Sequence, residues 1–287
     1  PPGMTSFAVV SLVRRRTGIR RVGHAGTLDP IADGVLPVCL GPATRMVEYI
    51  VSAPKTYLAT VRLGEATDSY DSEGTVTATS DPSGVTLEDV EAALPQFAGE
   101  IDQLPPMYSA LKYEGQPLYR YARQGKTAPR QPRRVAVHRL ELLAYTPPLI
   151  ELEMEVGRGA YVRSLAHDLG ERLGCHGHLV RLTRTASGPF ALADAVSIEE
   201  LEGAADWEAL LYAPDRVLES WQAALLGEQH AREVGQGRLV VLERRPELAE
   251  PAPEAPCRAY SDAGEFLAVL RYRGSGRWQP EKVFAAQ

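Results

Sequence analysis

Val9, Val10 and Val13 recur at helical spacing behind Thr5 and Ser6, either of which can cap a helix start. The pattern predicts a helix ending at Gly18, with arginines at its C-terminal end, where positive charge favours the helix dipole. A loop rich in Gly and Pro is expected from Gly23 to Pro37. Tyr57 to Leu63, Val135 to Tyr145 and Leu149 to Val156 alternate or concentrate β-formers and predict strands, most clearly in the run Leu-Ile-Glu-Leu-Glu-Met-Glu-Val. Thr86, with Asp89 three residues on, resembles a capping pair for a helix through Leu94. Tyr161 to Leu173 has helical spacing at Val162, Leu165, Ala166 and Leu169.

An acidic helical region is expected from Ser197 to about Leu226. Short strands then follow at Arg238 to Leu242, Cys257 to Tyr260 and Phe266 to Tyr272, separated by Gly, Pro and Asp. Arg244 to Pro256, rich in Glu, Pro and Ala, reads as a flexible loop inside this β-rich piece. Helices and strands mix without regular alternation, which favours an α+β architecture over a doubly wound parallel sheet.

Length adds a division into parts: 287 residues suit one large domain and a small one. With 44% hydrophobic and 24% charged residues, and no apolar run near the length of about 20 that crosses a bilayer, the chain reads as soluble with no membrane span. Pro1 to Thr5 does not resemble a secretory signal, so the expected compartment is the cytoplasm. Cys39, Cys175 and Cys257 are few, odd in number and far apart, and are expected to remain reduced. The chain opens without Met, and a few residues are expected ahead of Pro1.

A net charge of -6 argues at first against a nucleic-acid partner. The average conceals a division. Residues 194–287 hold 17 acidic and 10 basic side chains, leaving 21 basic and 20 acidic in residues 1–193. Gly115 to Leu140 carries Arg120, Arg123, Lys126, Arg130, Arg133, Arg134 and Arg139 with no acid, and a second cluster is Arg14, Arg15, Arg16, Arg20 and Arg21. Such clusters are usually solvated faces, and the interleaved Tyr108, Tyr113, Tyr119 and Tyr121 add only modestly to the case for RNA contact.

In the segment from Gly23 to Pro37, Asp29 stands directly before Pro30 in a Gly-bounded loop, which pushes its backbone toward extended geometry and orients the carboxylate. Loop geometry alone favours a structural turn over catalysis. Neither a dinucleotide nor a nucleotide phosphate loop is present. His167, Cys175, His176 and His178 lack the paired spacing of a zinc site. Tyr70 and Ser72 interrupt Asp68, Asp71 and Glu73 where a calcium loop wants ligands. No metal is expected at either.

Gly23 to Pro37 with Leu40-Gly41-Pro42-Ala43-Thr44-Arg45 closely resembles the signature of the TruB family, which converts uridine 55 in the T loop of tRNA to pseudouridine. Further matches are Pro2 to Ser6, Lys55-Thr56-Tyr57, Leu63-Gly64 to Asp71 and Gly74, and Pro106 to Lys112. They continue through Leu118-Tyr119, Ala122 to Gly125, Gly159 to Leu165, Asp168-Leu169-Gly170 and Leu173-Gly174-Cys175, in order across about residues 1–190.

The resemblance implies an isomerase with a mixed, largely antiparallel sheet of the pseudouridine synthase type, flanking helices and a small β-rich PUA-like C-terminal domain. It divides the chain into 1–226, with an RNA-gripping insertion at about 105–140, and 227–287. It implies Asp29 as the catalytic carboxylate, Arg163 as the arginine that pairs with it, and Tyr57 as the residue that stacks on the uracil and takes part in proton transfer. His24 would help hold the extruded loop, Tyr161 and Leu182 would line the uridine pocket, and Lys112 and Arg123 would contact RNA from the insertion. Leu182-Thr183-Arg184 departs from the family's usual Leu-Arg-Arg.

The reaction breaks the N1–C1′ bond and rejoins the base through C5, so no cofactor is implied. Attack at C1′, attack at C6 and abstraction of the C2′ proton all remain open for Asp29. The partner implied is the tRNA T arm, met by a monomer with no obligatory protein partner. A tRNA-binding or folding module without catalysis is the competing reading, although binding alone needs no set of Asp29, Tyr57 and Arg163 together.

Overall fold

Ile150, Leu152, Met154 and Val156 face inward along the strand Leu149–Val156, while Glu151, Glu153 and Glu155 face outward, as the alternation demands. This strand pairs antiparallel with Lys55–Leu63 on one side and Arg133–Thr146 on the other in the computed structural model, which describes residues 1–243 and 249–284. The seven-stranded sheet runs in the order Phe190–Ala191, Gly177–Ser187, Lys55–Leu63, Leu149–Val156, Arg133–Thr146 and Gly99–Gln103. Its seventh strand, Ala32–Gly34, pairs in parallel with Gly177–Ser187. The segment expected to be an irregular loop therefore contains a sheet strand.

The helix Val162–Arg172 packs Leu165, Ala166 and Leu169 onto this sheet. It comes so close that a Cβ on Gly170 would lie 2.1 Å from the Gly177 nitrogen, so only glycine fits there. The first helix, Ser6–Thr17, begins at Thr5, whose side chain accepts from the Ala8 nitrogen 3.1 Å away, and it ends on left-handed Gly18. Thr86 and Asp89 form a reciprocal capping box, an arrangement worth ~1 kcal/mol, at the start of Leu87–Ala93. The α-helix stops at Ala93 because Pro95 follows, and Leu94–Phe97 is a 3-10 turn.

The acidic region after Ser197 is less helical than expected. Ile198–Gly203 forms a helix behind a Ser197–Glu200 capping box, but Gly203 and Pro214 break the pattern into 3-10 turns. Ala223–Leu226 is a strand that pairs in parallel with Pro256–Ser261. It belongs to a second, five-stranded sheet with Phe266–Tyr272, Arg277–Val283 and Val240–Val241. The helix Glu228–Gly235 packs Val234 into that sheet's core. Residues 244–248 of the expected Arg244 to Pro256 loop lie outside the described residues.

The second sheet docks on the turn and short helix after Leu40 through Met46, Leu218 and Val269, with Lys282 paired to Glu48 and Tyr49 donating to Glu281 at 3.1 Å. The result is an α+β fold with mixed, largely antiparallel sheets. All three cysteines are buried and free. No helix among the described residues is long and apolar enough to cross a membrane.

Candidate active site

Asp29 lies just ahead of Ala32–Gly34, and the parallel pairing of that strand fixes where the carboxylate points. The side chain is 31% exposed, so part of it faces solvent. On the other side Arg163 donates from Nε to Oδ2 and from Nη2 to Oδ1, both at 2.8 Å, a two-pronged match of planar groups. Arg163 sits in the first turn of the Val162–Arg172 helix and is only 4% exposed.

Arg163 makes two further bonds, to main-chain carbonyls. Nη1 donates to the Ser69 carbonyl at 3.1 Å and Nη2 to the Tyr108 carbonyl at 3.0 Å. Asp71 Oδ2 lies 3.5 Å from Nε, so the buried guanidinium faces two carboxylates. Asp71 is itself buried and takes hydrogen bonds from the Ser69 hydroxyl and the Glu73 nitrogen. Burial pushes its carboxyl above the ordinary value, against the pull of Ser69 and of the Arg163 charge. In sequence Asp71 reads as part of a polar turn, and only its position between buried Ser69 and Gly74 hints otherwise: a Cβ on Gly74 would press the Ser69 hydroxyl at 2.3 Å.

Tyr57 lies directly opposite Arg184 in the register of Lys55–Leu63 against Gly177–Ser187. Burial raises its hydroxyl pKa and the Asp29 charge adds to this, while Arg184 opposes both. The Tyr161 main chain exchanges two hydrogen bonds with the Gln103 side chain, at 2.7 and 2.9 Å. Its phenol is raised chiefly by burial, opposed by a bond to Ser109 and by the Arg163 charge. His24 is pushed down by burial and by the charge of Arg184, and its buried Nδ1 has no hydrogen-bond partner among the described residues.

Asp29, Arg163, Tyr57, Tyr161 and His24 are thus tied to one cluster by contact or by charge. Leu182 is buried in the main core two residues before Arg184 on the same strand, opposite Ala32 on one side and Ala59 on the other. Lys112 and Arg123 are elsewhere, exposed on the insertion, with the Arg123 guanidinium 5.5 Å from the Tyr119 ring. The insertion reaches the cluster at its base, where Tyr108 accepts from Arg163 and its hydroxyl donates to Asp68 at 3.2 Å.

The first-helix arginines are largely engaged with protein: Arg14 donates to the Val22 carbonyl at 2.8 Å, and Arg16 to the carbonyls of Leu201 and Ala204. His176 contacts Glu171, His178 contacts the Glu65 carbonyl at 3.0 Å, and His167 stacks on Tyr70 at 4.0 Å.

A buried arginine clamping a half-exposed carboxylate, with a phenol alongside, can orient an ionised acid against a bound ring. Residues 14–162 match the family model described as TruB family pseudouridylate synthase, N-terminal domain, and residues 163–225 match the tRNA pseudouridylate synthase B C-terminal domain. The chain belongs to the TruB family of pseudouridylate synthases. It is therefore an isomerase by family. A TruB-family relative called tRNA pseudouridine synthase B, from Dehalococcoides mccartyi, is 44% identical over 287 residues, covering 99% of this chain and 94% of its own. One from Stutzerimonas stutzeri is 40% identical over 297 residues, covering 100% and 94%.

Among solved structures, an H/ACA RNP bound to a substrate RNA containing 2′-deoxyuridine has a TM-score of 0.74 at 22% identity, covering 100% of this chain and 83% of that one. The Cbf5-Nop10-Gar1 complex gives 0.72 at 25%, covering 99% and 83%. The first likeness is one of fold.

Proposed function

We propose that the protein isomerises uridine 55 in the T loop of tRNA to pseudouridine, with the base flipped out of the loop and held beside Asp29. The observation that carries this reading is the pair of 2.8 Å bonds from Arg163 to Asp29, which hold an ionised carboxylate in one orientation while leaving part of it facing solvent. In this reading Asp29 acts on the nucleotide as nucleophile or base, and Tyr57 stacks on the uracil and moves a proton. His24 steadies the opened loop, and Tyr161 and Leu182 bound the pocket. The reaction rearranges one nucleotide, so it calls for no second substrate.

Extruding a stacked base costs a few kcal/mol, and contacts to the RNA backbone offset it. Lys112, Arg123 and the exposed Arg120 and Lys126 supply such contacts from the 105–140 insertion, whereas Arg134 pairs with Glu100 and Arg139 with Glu141 and Glu153. Residues 1–226 then carry catalysis and the piece from 227 onward is the PUA-like appendage, whose sheet also takes in the strand Ala223–Leu226. The enzyme acts as a monomer in the cytoplasm, on the T arm alone. The relatives named tRNA pseudouridine synthase B support the substrate class. The test is to incubate the protein with an unmodified full-length tRNA and map pseudouridine along it. A single new pseudouridine at position 55 is expected; conversion at other positions, or none, overturns the reading.

A further inference from the structure

Arg184 is the largest side chain in the fully buried interior, at 1% exposure, and the chemistry described so far gives it no task. Among the described residues its side-chain bonds run to main-chain carbonyls rather than to a carboxylate. Nε donates to Val35 at 2.6 Å and Nη2 donates to Gly26 at 3.2 Å. Those two carbonyls lie on either side of Asp29 in the chain, three residues before it and six after. The Arg184 main chain holds the same loop: its carbonyl accepts from the Val35 nitrogen at 2.9 Å, and it pairs in parallel with Gly34. A Cβ on Gly34 would lie 2.3 Å from the Arg184 oxygen, so the approach is as close as the backbone permits. On the other edge of its strand Arg184 stands opposite Tyr57.

A buried cation without a carboxylate is costly unless something uses its charge. Here Arg184 stands opposite Tyr57 across the strand pair, and its charge draws the Tyr57 hydroxyl pKa down against the effect of burial. We infer that Arg184 is a positioning residue for the isomerisation: it fastens the Asp29 loop by two carbonyls and steadies negative charge on the Tyr57 oxygen during removal of the C5 proton. This rests on the pseudouridine synthase reading above.

Once C5 is joined to C1′, the C5–H bond breaks and its electron pair forms the C5=C6 double bond. The C6=N1 pair moves onto N1, which takes up a proton from water. Tyr57 accepts the C5 proton as its own hydroxyl proton passes to water, so protons and electrons balance. The oxygen has phenolate character during this exchange, and a fixed, buried guanidinium opposite it stabilises it. Burial of the phenol works against the transfer and Arg184 works for it.

The test compares wild type, Arg184→Gln and Arg184→Lys on T-arm stem-loops bearing protium or deuterium at C5 of the target uridine. It reads the single-turnover rate, RNA affinity and thermal midpoint. The expected result for Arg184→Gln is a rate lowered about 100-fold, affinity within about threefold of wild type, and a C5 deuterium effect of about twofold or more that wild type lacks. Arg184→Lys keeps the cation and should recover about tenfold of that loss.

Equal losses of rate and affinity with no deuterium effect would show a purely structural role and overturn the inference. If Arg184→Gln does not fold, Arg184→Lys decides: a rate as low as that of Tyr57→Phe, with no deuterium effect, overturns it. Conversion by wild type with an indifferent Arg184→Gln defeats this inference alone. Failure of wild type to convert defeats the function beneath it as well.

Discussion

Arg163 grips Asp29 through two N–H···O bonds of 2.8 Å while being itself only 4% exposed, and its Nε also lies 3.5 Å from the buried Asp71. The Asp29 carboxylate is thereby oriented by a group that solvent barely reaches. Replacing Arg163 by Ala removes that orientation and strands Asp71 in the interior, where an unpaired acid costs ~3 kcal/mol or more. Single-turnover conversion of Arg163→Ala is expected to fall ~100-fold or further, with RNA affinity changed only about threefold. Equal losses in rate and affinity, measured on protein shown to be folded, would count against the orienting role.

The strand Ala32–Gly34 depends on the absence of a side chain at Gly34, whose φ is 101° and whose Cβ would strike the Arg184 oxygen at 2.3 Å. Backbone meets backbone there, so nothing can move aside cheaply. Gly34→Ala should cost about 2 kcal/mol or more and lower the melting midpoint by ~5 °C. Gly84→Ala, at a position with nothing within 4 Å, is the control and should leave the midpoint unchanged. Identical melting of the two variants would refute this account of the loop.

These two positions mark where sequence is legible and where it is not. The strand Leu149–Val156, the Thr5 and Thr86 caps and the helix on Val162 were all readable, because each is set by neighbours a few residues away. Gly177–Ser187 was not read as a strand, although it is central. It buries His178 and Arg184, and irregularities between Leu179 and Arg181 and between Arg184 and Ala186 break its period of two. Arg277–Val283, with its charges and Pro280, hid for a similar reason. Asp29 and Arg163 came from family resemblance rather than from periodicity, since 134 residues separate them and only the tertiary fold joins them. Asp71 went unrecognised as a partner of Arg163, because burial is what distinguishes it from a turn acid.

The exposed Lys112 and Arg123 stand on the insertion, apart from the carboxylate cluster. If they meet phosphates, the double variant Lys112→Ala/Arg123→Ala should bind the T arm more weakly and release about two fewer counterions, lowering the slope of log affinity against log salt by ~1.5. Conversion of saturated complex should stay near wild type. A slope equal to that of wild type would remove these residues from the RNA interface.

Asp168 has its carboxyl pushed up to about 6 by burial, with Glu171 adding to the shift. A folded-state value above the unfolded one means that the folded protein binds this proton more tightly, so the group's contribution to stability falls as pH rises from about 4 to about 6. Asp168→Asn removes that loss. It should stabilise the protein at pH 7.5 by on the order of 1 kcal/mol, after allowance for partial exposure, with the advantage vanishing near pH 4. Thermal melts of both proteins across this range check the sign, and a gain that is equal at pH 4 and pH 7.5 contradicts it.

The most direct measurement of the central claim is pseudouridine formation in a T-arm stem-loop by wild type and by Asp29→Asn, with RNA binding measured in parallel. Wild type is expected to convert the target uridine, and Asp29→Asn to bind the RNA within a few-fold while converting none of it. A wild type that binds without converting, or an Asp29→Asn variant that converts as fast as wild type, would contradict the account.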